Sequence, residues 1–379
     1  MSGGEANLDT GRDSTPMATR LGWLFDPKLV TLAIASTAIV AVAGVVQVSH
    51  GPYVMSYGEV WGSLSDTKVL FDIEIWKAFL LGEELPEMGR KNLIVWHMRL
   101  PRVLAGVFVG MNLAVSGAIF QAVTRNELAS PFILGVSSGA GMMILMTLVF
   151  FGTLTTYMPL IAAFGGAGAF LIVYAIAWKN GTSPVRLVLA GIIVGTVFNS
   201  LQTAMFFFAQ DIAIAKTARA WTTGSLLGAD WEQVRIILPW TILAMGLSLL
   251  GSRQLNVLLL GERTAKALGM NVEKMRFALS CVAVLAASAS IAVAGIVSFV
   301  GLIVPHVVRN VVGSDYKKLI VGCLFAGPAL VVGADVGARL GMQVLTGAPL
   351  QLPVGIVTGL VGGPYFLYLM RRRTNLGEV

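Results

Sequence analysis

The chain has 379 residues, of which 56% are hydrophobic and only 12% are charged. Soluble domains carry about a quarter charged residues, so this composition excludes a soluble enzyme and a disordered chain. The net charge of +7 would suit nucleic acid, but the basic residues are scattered between apolar blocks. The composition therefore indicates a polytopic membrane protein that contacts lipid and binds no nucleic acid.

Apolar runs near the roughly 20 residues needed to cross a bilayer recur along the chain. They lie at 29–49, 94–123, 132–151, 158–178, 185–209, 233–252, 275–297, 299–312, 319–340 and 352–370. The eighth run is too short to span upright. The sequence predicts an all-α polytopic membrane protein with about ten transmembrane helices. They form a domain at 29–371, between a polar cytoplasmic tail at 1–28 and a short cytoplasmic tail at 372–379.

The placement of lysine and arginine predicts how the chain is oriented. Cytoplasmic loops carry an excess of these residues, and with the N-terminus inside, most of the 27 fall on the cytoplasmic side. We therefore expect a multi-pass protein of the cell membrane with both termini in the cytoplasm. The longest outer segment, residues 50–93, carries acidic and basic residues, and the sequence assigns it no role.

Three arginines are predicted near the outer surface. Arg99 and Arg102 lie at the outer end of the second run, and Arg339 follows Asp335 by four residues on one helix face. The spacing of Asp335 and Arg339 predicts an ion pair. The arginines could receive carboxylates in bidentate geometry, and the alternative is interfacial snorkelling of their side chains.

A hydrophilic stretch, Leu259–Asn271, interrupts the membrane array. It predicts a short amphipathic helix on the cytoplasmic side that ends at Gly269, since glycine is favoured just past a helix end. The helix is either a docking surface for a soluble partner or a solvated connector.

Two motifs bear on enzymatic activity. The phosphate-binding loop GxxxxGK[ST] does not occur, so we expect no ATP hydrolysis on this chain. The segment Gly135–Gly139 matches the nucleophile elbow GxSxG, which needs a strand–turn–helix setting and a histidine. Here it opens an apolar helix, so its small residues predict close helix packing, as do three GxxxG pairs. The pairs are Gly106 with Gly110, Gly191 with Gly195 and Gly337 with Gly341.

Motifs in a fixed order connect residues 95–371 to a known family. They are Arg99-Leu-Pro-Arg102, Ser116-Gly117, Asn126-x-Leu128-Ala129, Gly135-Val-Ser-Ser-Gly139, Leu189-Ala-Gly191, Trp221-x-x-Gly224-Ser225, Phe299-Val-Gly-Leu-Ile-Val-Pro-His306, Ala334-Asp335 and Leu352-Pro-Val-Gly355. This series resembles the FecCD-type permease subunits of ABC importers for ferric siderophores, haem and vitamin B12.

The resemblance implies a ten-helix permease that pairs with a second permease subunit, identical or related, and rests on two ATPase subunits. An extracytoplasmic solute-binding protein would deliver the cargo. ATP and Mg²⁺ would bind to the ATPase, so this chain is expected to carry no cofactor, no metal and no catalytic residue. A ferric siderophore fits best as cargo, with haem or vitamin B12 as the alternative.

The resemblance also assigns roles to residues at the two ends of the helices. Arg99, Arg102 and Arg339 would receive glutamates of the binding protein. The Leu259–Gly269 stretch would be the coupling helix that enters a groove of the ATPase. Its candidate coupling residues are Gly261, Glu262, Ala265, Leu268 and Gly269.

The cytoplasmic gate is the second set of assigned residues. Asn126 and Leu128 match the first gate of the family, and Thr182 and Ser183 match the second. The family's Asn-Pro-Leu-Ala reads Asn-Glu-Leu-Ala here, because Glu127 replaces the proline. This change could loosen the turn and alter its electrostatics.

The fifth run carries two polar residues, Asn199 and Gln202, which are three apart and share a helix face. In the family the matching helix lines the translocation path, so both could face the cavity. An interhelical hydrogen bond is the alternative.

Two other functions compete with this interpretation. An ion-coupled secondary transporter could use Asp335 as its ion site, although the docking-like stretch at 259–271 disfavours it. An intramembrane enzyme would need Ser137 of the GxSxG motif as its nucleophile.

Overall fold

The computed structural model describes residues 22–51, 53–179, 181–208, 212–347 and 351–375. Over these ranges the chain is helical, and its extended pairing is limited to one isolated bridge between Trp178 and Thr182. The predicted all-α class is confirmed. The two predicted tails fall largely outside the described residues, although the last helix continues through Asn375.

The membrane-length helices alternate with short helices near both ends of the bundle. In chain order the helices are α1 (Pro27–Ser49), α2 (Tyr57–Leu64), α3 (Thr67–Leu70), α4 (Ile73–Leu81), α5 (Arg90–Thr124, π-helical at Leu93–Arg99), α6 (Val136–Phe150), α7 (Met158–Ala177), α8 (Pro184–Phe206), α9 (Ile212–Thr223), α10 (Trp231–Leu250), α11 (Ser252–Leu259), α12 (Glu262–Ala267), α13 (Val272–Ala294), α14 (Val300–Val312), α15 (Tyr316–Thr346) and α16 (Val354–Asn375).

Seven of the described helices are long and apolar enough to cross a membrane, and three shorter apolar ones are α6, α14 and the first part of α16. Each predicted run therefore holds one helix. The eighth run contains the 13-residue α14. At about 1.5 Å per residue this helix is too short to cross a membrane upright, as predicted.

Helix α5 lies at the centre of the bundle and packs against α10, α13, α14 and α15. A Cβ atom at Gly110 would lie 2.5 Å from the backbone of Gly327 on α15, and one at Gly117 would lie 1.8 Å from the carbonyl oxygen of Gly301 on α14. Close backbone approach gives dispersion contacts that hold helices together where lipid supplies no hydrophobic driving force.

The predicted close-packing motifs differ in outcome. At Gly139 a Cβ atom would lie 2.2 Å from the Cβ atom of Ala169 on α7, so the GxSxG segment packs closely as predicted. At Gly191 it would lie 2.3 Å from the carbonyl oxygen of Ile133. The prediction is wrong within the described chain for Gly337 and Gly341, because a Cβ atom added at either glycine would meet no atom within 4 Å.

The segment at 53–93 forms a separate aromatic core over the ends of α5 and α10, which we call the outer end. Phe79 stacks on Trp231 with ring centroids 4.4 Å apart. The indole N–H of Trp231 donates to the carbonyl of Trp96, and that of Trp96 donates to the carbonyl of Ser63. These buried indoles are satisfied by backbone, as buried tryptophans require.

The helix predicted for the stretch Leu259–Gly269 is shorter than expected. Leu259 ends α11, and Gly261 has a φ of +100°, which breaks the chain before α12 begins at Glu262. The helix ends at Ala267, and Gly269, whose φ is +79°, lies just past its end as predicted. The N–H groups of Gly269 and Met270 donate to the carbonyls of Lys266 and Ala265. This end of the bundle is called the inner end.

The close contact of α5 with α14 can be tested by one added methyl group. Gly117→Ala should lower the thermal stability of the purified protein, because overpacking a core costs about 1–3 kcal/mol. Gly168→Ala is the matched control, since a Cβ atom there meets nothing within 4 Å. That control should be neutral or stabilising by about 0.4–1 kcal/mol. Equal melting temperatures for the two variants would contradict the packing described.

Candidate functional site

The three predicted arginines come together at the outer end. Arg99 closes the π-helical stretch of α5, Arg102 lies one turn later, and Arg339 reaches over from α15. All three line a cavity of about 490 Å³ together with residues at the end of α1, including Gln47 and His50. The structure thus brings the three arginines together, although Arg102 is buried; their place at the outer surface stays a prediction.

Arg102 is engaged within the chain. Its Nε and Nη2 donate to the two carboxylate oxygens of Asp335 at 2.8 and 2.7 Å, and its Nη1 donates to Oε1 of Gln351 at 2.7 Å. Gln47 Nε2 donates to the same carboxylate at 2.6 Å. Arg102 and Asp335 are both buried, so the bidentate pair neutralises a charge that would be costly if left alone.

The predicted pair of Asp335 with Arg339 is wrong. The carboxylate pairs with Arg102 of the central helix instead, because the guanidinium of Arg102 meets it edge-on with two donors. Arg339 turns toward the end of α1, where its Nη1 donates to the carbonyl of Gln47 at 2.9 Å and to that of His50.

Arg99 completes the same arrangement by donating to the carbonyls of Val48 and Tyr53. The last carbonyls of a helix have no intrahelical donor and carry partial negative charge. Arg99 and Arg339 therefore cap the end of α1. Both are partly exposed, whereas Arg102 is buried.

The first predicted gate lies in the turn after α5 at the inner end. Arg125 has a φ of +50°, and the side-chain oxygen of Asn126 accepts from the N–H of Leu128 at 2.9 Å. The Leu128 side chain is exposed. The polar side chain thus fixes a tight turn that presents a leucine at the surface.

Glu127 of the same turn reaches toward α14. Its carboxylate lies 3.6 Å from Nη1 of Arg309 and 3.9 Å from Nδ1 of His306. Arg309 also donates to Oε1 of Gln121 at 3.0 Å. The turn is therefore held near α14 by charge.

The second predicted gate lies beside the predicted coupling helix. The N–H and hydroxyl of Thr182 donate to Oε2 of Glu273 at 2.9 and 2.6 Å. Arg276 donates to the carbonyl of Thr182 and, through its other amino group, to Oε1 of Glu262 on α12, both at 2.6 Å. Ser183 precedes α8 without a side-chain capping bond. We call Thr182, Glu262, Glu273 and Arg276 the inner polar network.

Two members of this network, Arg276 and Glu273, were not predicted from the sequence. A signal was present, because Arg276 falls inside an apolar run, where an ionisable residue is costly and therefore informative. On α12 itself, Ala265 is buried, while Leu268 just after the helix exposes 63% of its surface. In this conformation Leu268 rather than Ala265 presents an apolar contact surface.

Asn199 and Gln202 share one face of α8, as predicted. Gln202 Nε2 donates to the side-chain oxygen of Asn199 at 3.1 Å and to the carbonyl of Ser138 on α6 at 3.0 Å. Gln202 thus forms the interhelical hydrogen bond that was the alternative expectation, whereas Asn199 is exposed.

Apolar membrane-length helices with polar networks at both ends define the class of this protein, a polytopic integral membrane protein. The FecCD transport family matches residues 39–372. The chain belongs to this family, as its motifs predict.

Relatives in the family include named import permeases. The chain is 41% identical over 289 residues to the Fe(3+)-citrate import system permease protein YfmD of Bacillus subtilis (strain 168), a match that covers 76% of this chain and 84% of the relative. It is 36% identical over 349 residues to the cobalamin import system permease protein BtuC of Halobacterium salinarum, covering 91% and 89%.

A solved structure supports the same fold. It is an inward-facing conformation of a metal-chelate type ABC transporter, with a TM-score of 0.74 and 25% sequence identity. The match covers 90% of this chain and 99% of the other.

The buried pair of Arg102 and Asp335 should keep the outer end stable only while both partners are present. Asp335→Ala should lower the unfolding free energy by about 3–5 kcal/mol, because it leaves a guanidinium buried without its carboxylate. Thermal unfolding of the purified protein measures the change, and Arg102→Leu combined with Asp335→Leu should recover part of it. Lys91→Gln, which breaks the exposed pair with Glu59, is the control and should change little. Equal losses in Asp335→Ala and Lys91→Gln would contradict this role.

Proposed function

We propose that this chain is the permease subunit of an ATP-driven importer for iron chelates of the ferric-siderophore class. The family match over residues 39–372, with an iron-citrate permease among the relatives, carries the proposal. The iron is cargo held by its own chelator.

The proposed assembly has partners on both faces of the membrane. A second permease subunit, identical or related, would complete the translocation path, and two ATPase subunits would bind ATP and Mg²⁺ at the inner end. An extracytoplasmic binding protein would deliver the cargo at the outer end. This arrangement has both termini in the cytoplasm of a multi-pass protein of the cell membrane.

Vitamin B12 is the second candidate cargo, favoured by the cobalamin permease that matches 91% of the chain; haem stands with it as an alternative. Uptake of iron-55 siderophores and of labelled cobalamin, measured in a strain that lacks this gene and in the complemented strain, separates them. Complementation of cobalamin uptake alone would overturn the iron proposal.

The other two functions find little support in the geometry. Asp335, the candidate ion site of a secondary transporter, is neutralised by Arg102. Ser137, the candidate nucleophile of an enzyme, is buried at the start of α6. Uptake that persists without an ATPase would revive the first alternative, and unchanged uptake by Ser137→Ala would remove the second.

Arg99, Arg102 and Arg339 are proposed to receive carboxylates of the binding protein. Arg99 and Arg339 are partly exposed on the shared cavity, so direct contact falls to them. Arg102 would support the cluster from below through Asp335.

Reversing the charge of the two exposed arginines tests docking. Arg99→Glu combined with Arg339→Glu should weaken binding of the binding protein at least about tenfold, because charge-assisted contacts become repulsions. Surface plasmon resonance on the permease–ATPase complex in nanodiscs measures the affinity. Lys77→Glu, an exposed charge reversal in α4, is the control. Unchanged affinity in the double variant would refute the docking role.

At the inner end, α12 and its flanks, from Gly261 to Gly269, are proposed to dock on the ATPase. Asn126 and Leu128, with Thr182 and Ser183, would form the two gates of the exit. Asn199 on the exposed face of α8 would line the path, with Gln202 holding that part of α8 against α6.

The exposed leucine after α12 provides a test of coupling. Leu268→Asp should abolish most transport while basal ATP hydrolysis continues, because a carboxylate cannot be buried in an apolar groove without a partner. Cargo uptake and ATPase activity in proteoliposomes measure both quantities. Leu268→Met preserves apolar volume and should retain transport. Full transport by Leu268→Asp would count against the coupling role.

A further inference from the structure

Three segments of the inner end meet at one buried side chain. They are α12, the first turns of α13 and residues 181–183 just before α8. Arg276 of α13 lies among them and is only 1% exposed. Few arginines are buried to this extent without several partners.

Each amino group of Arg276 serves a different segment. Nη2 donates to Glu262 of α12 at 2.6 Å. Nη1 donates to the carbonyl of Thr182 at 2.6 Å and lies 3.2 Å from Oε1 of Glu273. The Nε atom has no hydrogen-bond partner among the described residues.

Glu273, also on α13, binds the same loop residue. Its Oε2 accepts both the N–H and the hydroxyl of Thr182. Arg276 binds the carbonyl of Thr182, so the backbone and the side chain of this one residue are all held by α13. Gly181, next to Thr182, has a φ of +116°, and the carbonyl of this glycine accepts from Arg186 at 2.6 Å. The loop conformation is therefore strongly determined by charged side chains.

Helix α12 has fewer attachments. It is six residues long and packs against α11 and α13, and Gly261 and Gly269, both with positive φ, flank it. Such a helix can move as a rigid body when a bound partner displaces it. Its ion pair with Arg276 is then the direct route by which a shift reaches the Thr182 loop.

Stability alone does not account for this arrangement. Burying a guanidinium costs several kcal/mol, and well-packed apolar residues are often as stabilising as a buried ion pair. What the planar guanidinium adds is geometry, because its two amino groups hold two segments at a fixed separation.

We propose that Arg276 is a positioning residue that links α12 to the Thr182–Ser183 loop, so that a displacement of α12 by its partner moves the loop. The proposal rests on the proposed function, which makes α12 the ATPase contact and the loop part of the gate. Glu273 helps to hold the Thr182 loop at Arg276, and Glu262 connects Arg276 to α12.

Two variants distinguish the effect of the planar guanidinium of Arg276 from the effect of its positive charge and from a general loss of folding. Arg276→Lys keeps the positive charge but loses the planar pair of donors. Glu262→Gln weakens the link at α12 and leaves the contacts of Arg276 with Thr182 and Glu273 in place. Lys274→Gln removes an exposed cation from the same turn of α13 and is the matched control.

The readout is local movement rather than transport. In a Cys281→Ser background, where Cys323 is fully buried, maleimide labelling of Ser183→Cys reports the loop and labelling of Arg263→Cys reports α12. Rates are compared in the permease–ATPase complex without nucleotide and with Mg-ATP and vanadate. In the parent and in Lys274→Gln, both sites should change their labelling rate with nucleotide.

In Arg276→Lys and Glu262→Gln, the nucleotide-dependent change at Ser183→Cys should fall at least about tenfold, as the loss of a charge-assisted hydrogen bond implies. The change at Arg263→Cys should persist. A loop response equal to that of the parent in Glu262→Gln, with the α12 response intact, would overturn the link through Arg276. No α12 response even in the parent would instead overturn the proposed function.

Discussion

Hydrocarbon offers no hydrogen-bonding partner, so each polar group of this chain must be satisfied inside the bundle or lie at one of its ends. The architecture follows from that constraint. Backbone groups are paired within helices, and glycines let α5 approach α14 and α15 directly. The buried arginines Arg102 and Arg276 each have a carboxylate partner. The buried charges of Arg102, Asp335 and Arg276 thereby belong to two networks near opposite ends of the helices.

Helix α5 connects those two ends. It carries Arg99 and Arg102 near its start and leads into the Asn126 turn at its finish. Because most of its side chains from Pro101 onward are buried, it is held on all sides and should move as a rigid element with its neighbours. The inner polar network has no member on α5; it joins the first turns of α13 to the six-residue α12 and to the loop at Thr182. A movement at the inner end is therefore easier to accommodate around α12 than along the bundle axis.

Much of the fold could be predicted because the bilayer sets the length of each apolar run. Even so, α15 extends to Tyr316 and Thr346, beyond the predicted 319–340, since its polar ends continue the helix outside the run. The partner of Asp335 could not be predicted from spacing, because Arg102 is distant in sequence and only the packing of α5 on α15 brings it close. Gly337 and Gly341 have the pattern of a contact face but no neighbour within the described part of this chain. The spacing of residues along a helix predicts which side chains share a face, whereas the packing of distant helices determines what that face contacts.

The carbonyl caps on Arg99 and Arg339 bear on specificity. Free arginines at a membrane surface would attract any anion, including lipid phosphate. Here Nη1 of Arg339 and both amino groups of Arg99 already donate to backbone carbonyls in and just after α1, so a carboxylate that binds these groups would displace an existing hydrogen bond. The free energy of binding a carboxylate would then be the difference between its hydrogen bonds to the arginines and the carbonyl hydrogen bonds that it replaces. Under the docking role proposed for these arginines, such an exchange would favour short residence times of the binding protein.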